Sequence, residues 1–132
     1  MQTIKPLLLA TALCSLSLGA NAADEAYSST YGSCMDASQG VTASMLDCIA
    51  AETKLQDARL NREYQAAMQA HKAWQPQLRA VQRHWIKYRD ADCAFIGSLT
   101  GGSIDSLNRA SCYLEKTAQR ADELARLGPQ DR

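Results

Sequence analysis

Apolar residues recur three and four positions apart through most of the chain, and nowhere do they alternate as a strand requires. From Thr42, a residue suited to an N-cap, Leu46, Ile49, Thr53, Leu60, Tyr64, Ala67 and His71 share one helical face. That stripe is weak in its middle, around Thr53 and the gap before Leu60. Residues 72–75 form a link to Pro76, whose missing N–H suits a first helical turn. Leu78, Val81, Trp85, Tyr88 and Ile96 mark the apolar side of a second helix, with Arg79, Arg83, Lys87 and Asp90 outward. Residues 97–106 hold three glycines and three serines, so the chain turns there. Leu107, Ala110, Leu114, Thr117, Ala121 and Leu124 form a third stripe, rich in small residues that let a neighbour approach closely. Gly128-Pro129 stops it. The pattern predicts an all-α fold: a small three-helix up-down-up bundle over 42–127, its second and third helices forming an αα-hairpin. Residues 23–41 read as an irregular lead-in and 128–132 as a tail.

The first 22 residues are of another kind. Lys5 precedes an apolar run from Pro6 to Leu18, and Gly19-Ala20-Asn21-Ala22 offers the small residues of a signal-peptidase site. Cleavage is expected before Ala23. The run is too short for a permanent membrane span. Cys14 follows Leu13 rather than a small residue, so it reads as part of the signal and not as a lipid-attachment site. The expected location is periplasmic or secreted. The mature chain, about 110 residues, makes one domain with a single negative charge in excess. Such a balance gives no pull toward nucleic acid or an anionic membrane surface.

Four cysteines remain after the signal: Cys34, Cys48, Cys93 and Cys112. An even number in an exported chain reads as structural disulfides. None lies in the close C-x-x-C spacing of a redox pair or zinc site. Three pairings are open. Chain proximity favours Cys34–Cys48 and Cys93–Cys112, and a crossed pair such as Cys48–Cys112 stays open too. At 100° per residue, Cys112 sits nearly opposite the Leu107 and Leu114 stripe. The second bridge therefore requires either an irregular start after Ser103 or a bundle that buries a second face of the third helix.

The residue set does not favour an enzyme or a cofactor. Asp90 and Asp92 diverge by about 200° on a helix and cannot serve one bond. His71 and His84 have no Cys, Ser or carboxylate at a spacing that suggests a nucleophile or metal site.

Leu60-Asn61-x-x-Tyr64 is followed by Gln82-Arg83-x-Trp85-Ile86-x-Tyr88-Arg89-Asp90-Ala91-x-Cys93, then by Gly101-Gly102-Ser103, Cys112 and Thr117-x-x-Arg120-x-x-x-Leu124. In this order and spacing the chain resembles the LprI-type lysozyme-inhibitor domain family, small bacterial envelope proteins, from about Cys34 to Leu124. The resemblance implies a non-catalytic inhibitor whose partner is a lysozyme-like muramidase. Physically, the same residues read as structure. Tyr64, Trp85 and Tyr88 suit the edge of a core. Arg89 needs an acidic partner, with Asp92 and Glu63 as candidates. Asn61 suits a bond to backbone or a neighbouring helix. The glycine-rich connection is longer and more polar than folding demands, which makes it a candidate contact surface: Ser98, Thr100, Gly101, Gly102 and Ser103, with Arg109 just beyond. The alternative partner is another periplasmic protein, met by an apolar patch of Ile86, Leu55 and Tyr113, as in a scaffold module or an immunity protein against a cell-wall-degrading toxin.

Overall fold

A computed structural model of the chain describes residues 27–129. The expected signal segment and its cleavage site lie outside the described residues, as does the end of the tail. The described elements are α1 (Ser29–Ala37), α2 (Thr42–Ala70), α3 (Gln75–Ile96) and α4 (Ile104–Ala125), with one 3-10 turn at Lys72–Trp74. The fold is all-α, and α3 and α4 form the expected αα-hairpin. The lead-in is corrected: residues 29–37 are helical. The Ser28 hydroxyl accepts from the Tyr31 N–H at 3.2 Å, a side-chain cap that satisfies one of the unpaired donors of the first turn. Gln39 (φ 50°) and Gly40 (φ 79°) then take left-handed backbone and fold α1 back onto α2. Val41, not Thr42, is the N-cap residue of α2.

α2 and α4 run in the same direction, and α3 runs against both. Arg59 of α2 reaches Asp122 and the Ala118 carbonyl of α4, whereas Gln82 near the start of α3 meets Arg120 near the end of α4. α4 packs most extensively on α2, and α3 packs on α4 with little backbone approach to α2. The predicted small stripe permits this: Thr117, Ala118 and Ala121 are almost wholly buried.

Two apolar clusters fill the interior. Ile49, Leu107 and Leu114 form one, covered by Tyr27, Tyr31 and Met35 from the N-terminal segment. Leu60, Ala67, Ala121 and Leu124 form the other, against Tyr64, Leu78 and Trp85. Burying a Leu or Ile contributes about 1.5–3 kcal/mol. Between the clusters lies a buried polar waist of Glu52, Gln56, Arg89 and Thr117. This explains the weak middle of the α2 stripe: the inward positions there are polar. Glu52, 2% exposed, accepts from the Ser28 N–H at 3.0 Å, the Ser28 hydroxyl at 2.5 Å and the Gln56 amide at 2.7 Å. Burial alone would push its carboxyl up. The hydrogen bonds from Ser28 and Gln56, aided by Arg59, outweigh that and hold it below the ordinary carboxylate value.

On α3 the inward row is corrected. Val81 and Tyr88 are 51% and 57% exposed, while Gln82, Arg89 and Cys93 are buried. The periodicity was right and its phase was off by about one residue, because two inward positions carry polar side chains with partners on α4. At the far end His71, expected on the α2 stripe, is exposed and uses Nε2 on the Leu127 carbonyl at 2.8 Å.

Cys34–Cys48 and Cys93–Cys112 are the disulfides, with Cα separations of 5.7 and 5.5 Å. α4 is regular from Ile104, so it is the second alternative that holds: α4 buries one face against α2 and turns Cys112 toward α3.

Candidate functional site

The α3–α4 connection, residues 97–103, is built from both of its ends. Cys93–Cys112 ties the last turn of α3 to the middle of α4. Gly97 lies so close to α4 that an added methyl would come within 2.6 Å of the Arg109 Cβ and 3.1 Å of the Asp105 carbonyl oxygen. Glycine is needed there for space. At Gly101 (φ 71°) it is needed for backbone conformation, with nothing near the missing side chain.

Asp105, in the first turn of α4, organises the turn above it. Its carboxylate accepts from the N–H of Thr100 at 3.2 Å, from the Thr100 hydroxyl at 2.9 Å and from the N–H of Gly101 at 2.8 Å. The Thr100 hydroxyl oxygen accepts in turn from the Gly102 N–H at 3.1 Å. Burial would raise the Asp105 carboxyl, but these bonds, with Arg109 nearby, hold it below its usual value. The Ser98 hydroxyl donates to the Phe95 carbonyl at 2.7 Å. Thus most of the hydroxyl and backbone donors expected to face a partner are used within the loop. Every residue from 98 to 104 is nevertheless exposed, and so is Arg109. The large side chains shown there are apolar: Phe95 is 63% exposed, Leu99 60% and Ile104 48%. Sequence reasoning missed these three and Asp105. The available signal was an acid in the first helical turn, placed to reach back over a glycine turn as in a capping box.

Beside the tip, a groove of about 910 Å³ opens between α2 and α4. Leu46, Ile49, Ala50, Ala110 and Tyr113 give its apolar walls, and Gly97, Asp105 and Arg109 close the end nearest the loop. A smaller cleft of about 420 Å³ continues between α2 and α3, with Asn61, Arg83 and Ile86 in its lining.

The remaining motif residues brace the bundle. Arg89 is buried between two rings, its guanidinium carbon 4.9 Å from the Trp85 centroid and 3.8 Å from that of Tyr113. Its partners are Asp90 at 2.9 Å, Asp57 at 4.0 Å and the Thr117 hydroxyl at 3.4 Å, and not Asp92 or Glu63. Asp92 pairs instead with Lys116 at 3.0 Å, and Glu63 with Arg62 at 3.3 Å. Burial raises the Asp57 carboxyl, and Arg89 partly offsets this. Tyr88, expected at the core edge, is a surface brace: Lys116 donates to its hydroxyl at 3.2 Å and lies 4.7 Å from its ring centroid. Leu60 is buried, Tyr64 half-buried and Asn61 exposed. Among the described residues no three His, Cys, Asp or Glu side chains are grouped to hold a metal ion, and no helix is long and apolar enough to cross a membrane.

An uncharacterized protein of Rhizobium meliloti (strain 1021) is 30% identical over 95 residues, covering 61% of this chain and 68% of the relative. No solved structure matches. The family described as "Lysozyme inhibitor LprI" matches residues 34–124, which run from the first bridging cysteine to the last buried leucine of α4. The chain belongs to the LprI lysozyme-inhibitor family.

Proposed function

We propose that the protein acts outside the cytoplasm as a non-catalytic inhibitor of lysozyme-like peptidoglycan hydrolases, and that residues 97–106 enter the target's cleft. Family membership supports the inhibitory role. The observation that carries the choice of surface is a tip exposed throughout residues 98–104 yet tied down by Asp105 and by Cys93–Cys112. A connection between two helices needs neither. An element fixed before binding loses little freedom on docking, which favours affinity. Muramidases of this kind cleave with a pair of carboxyl groups in an open cleft, and a protruding tip stops them by excluding substrate. Ser103 and Arg109 lie at the base of the tip, where Arg109 adds charge complementarity to an acidic cleft.

The helix-face alternative has less support. Leu55 lies beside α1, in a depression shared with Ser28, Tyr31 and Cys34, while Ile86 and Tyr113 border the α2–α3 cleft. They do not form one patch.

The test is lysis of a cell-wall suspension by a panel of muramidases, with the purified mature protein added in increasing amounts. Wild type should slow lysis in proportion to dose. Gly102→Tyr with Ser103→Tyr should abolish the effect and leave the helical circular-dichroism signal unchanged. Unaltered lysis at molar excess across the panel would remove the proposal.

A further inference from the structure

The chemistry displayed by the tip differs from what a polar, glycine-rich sequence suggests. Between Phe95 and Ile104 the chain carries no charged side chain. The first charge, Asp105, turns its carboxylate back onto the amides of Thr100 and Gly101. The Thr100 hydroxyl is engaged with the same carboxylate, and the Ser98 hydroxyl with the Phe95 carbonyl. The large side chains that remain outward between the two helix ends are Phe95, Leu99 and Ile104, each about half exposed or more, with the Ser103 hydroxyl small beside them and Arg109 set back on α4.

Such a tip is poorly matched to a catalytic carboxylate pair. Covering an ionised carboxyl with apolar surface removes its water and returns no hydrogen bond, which is costly. The favourable seat is an apolar or aromatic wall, where a large side chain can be buried at the centre of the contact. In a cleft that binds polysaccharide, such walls are the platforms that receive the faces of sugar rings. We propose that the tip occupies a saccharide-binding subsite of the target through Phe95, Leu99 and Ile104, and that Asp105 is the positioning residue that turns the loop's polar groups inward and these side chains outward. The inference rests on the inhibitor reading above and specifies the chemistry of its contact.

The experiment compares inhibition constants of the wild type and five full-length mature variants against one muramidase that the wild type inhibits. Leu99→Ser and Phe95→Ser should each weaken inhibition about tenfold or more, the loss expected for one buried apolar anchor. The double variant Ser98→Ala with Ser103→Ala should stay within about twofold of wild type. So should Trp74→Ser, which alters a side chain as exposed as Phe95 (63%) at the opposite end of α3. Phe95, Leu99, Ser98, Ser103 and Trp74 are all exposed, so the melting temperatures of these four variants should coincide with that of the wild type. For Asp105→Asn, amide exchange at Thr100 and Gly101 should accelerate, and inhibition should weaken in step. Equal inhibition by wild type and Leu99→Ser, or loss confined to the serine double variant, overturns the apolar contact while the inhibitor reading survives. Faster exchange in Asp105→Asn with full inhibition overturns the positioning role. If the wild type inhibits no muramidase, both readings fall. If Leu99→Ser only dissolves a wild-type dimer and leaves lysis unchanged, the tip is a self-association surface and the inference is wrong.

Discussion

Single residues here are chosen as often for what they exclude as for what they contact. Gly97 is the clearest case, because its hydrogen occupies space that α4 leaves to nothing larger. Gly97→Ala should destabilise the protein by about 1–3 kcal/mol, as overpacking does, with the damage concentrated at the tip. A denaturant melt checks the size, and amide exchange at residues 98–104 checks the place. Arg89 is the opposite case, a cation placed inside. Its ring contacts and its buried aliphatic stem outweigh its ion pairs, since Asp57 and Asp90 are 43% and 54% exposed. Arg89→Ala should therefore cost about 2 kcal/mol, while Asp90→Ala should cost less than about 1 kcal/mol. Equal losses in the two variants would show the ion pair, not the packing, to be what matters. The residue pattern pointed to a paired Arg89 but not to its depth or its partners, and it did not disclose the close approach at Gly97. A buried arginine and an exposed tyrosine one position apart look the same to periodicity as the reverse arrangement.

At the scale of elements, the sequence disclosed the three long helices and the hairpin, because Ile49, Leu60, Leu114 and Leu124 repeat at helical spacing and glycines and prolines punctuate the ends. It did not disclose α1, which buries no residue of its own completely. This helix is held by its ends: the Ser28–Glu52 bonds at one, the Cys34–Cys48 bridge at the other, with Tyr27, Tyr31 and Met35 laid over a cluster formed by α2 and α4. Cutting either tie should loosen α1 alone. Cys34→Ser with Cys48→Ser should lower the melting temperature by roughly 15 °C, from about 3 kcal/mol of lost loop-closure constraint in the chain-entropy model. Limited proteolysis should then cut within residues 27–40 while α2 to α4 stay intact. Cleavage spread evenly over the chain would show that α1 and the bundle fold as one cooperative unit. The Cys93–Cys112 pair should behave differently, since its loss frees the tip and weakens inhibition as well as stability.

Considered as a whole molecule, the protein is a bundle with two apolar ends, a polar waist and a stiffened tip, and its response to acid follows from the waist and the tip. Glu52 and Asp105 both have carboxyls held below their ordinary values. Groups depressed in this direction stabilise the fold above the unfolded pKa of about 4, and that contribution is lost as pH falls through the lower folded value. Asp57, raised by burial, has the opposite sign and offsets part of the loss. Stability should thus be flat from about pH 7 to 5 and fall below about pH 4. Glu52→Gln should lower the plateau and flatten the fall, and an unchanged acid limb would rule Glu52 out as its source. The candidate site was half legible at this scale. Its position showed in the three glycines of residues 97–106, but its chemistry did not, because Asp105 absorbs the polar groups that the composition advertises. The most direct check of the account is amide hydrogen exchange on the protein alone and bound to a muramidase it inhibits. Protection gained on binding should be confined to residues 95–106 and the adjoining turn of α4. Protection appearing instead on the helix faces around Leu55 or Ile86, with the tip unchanged, would contradict it.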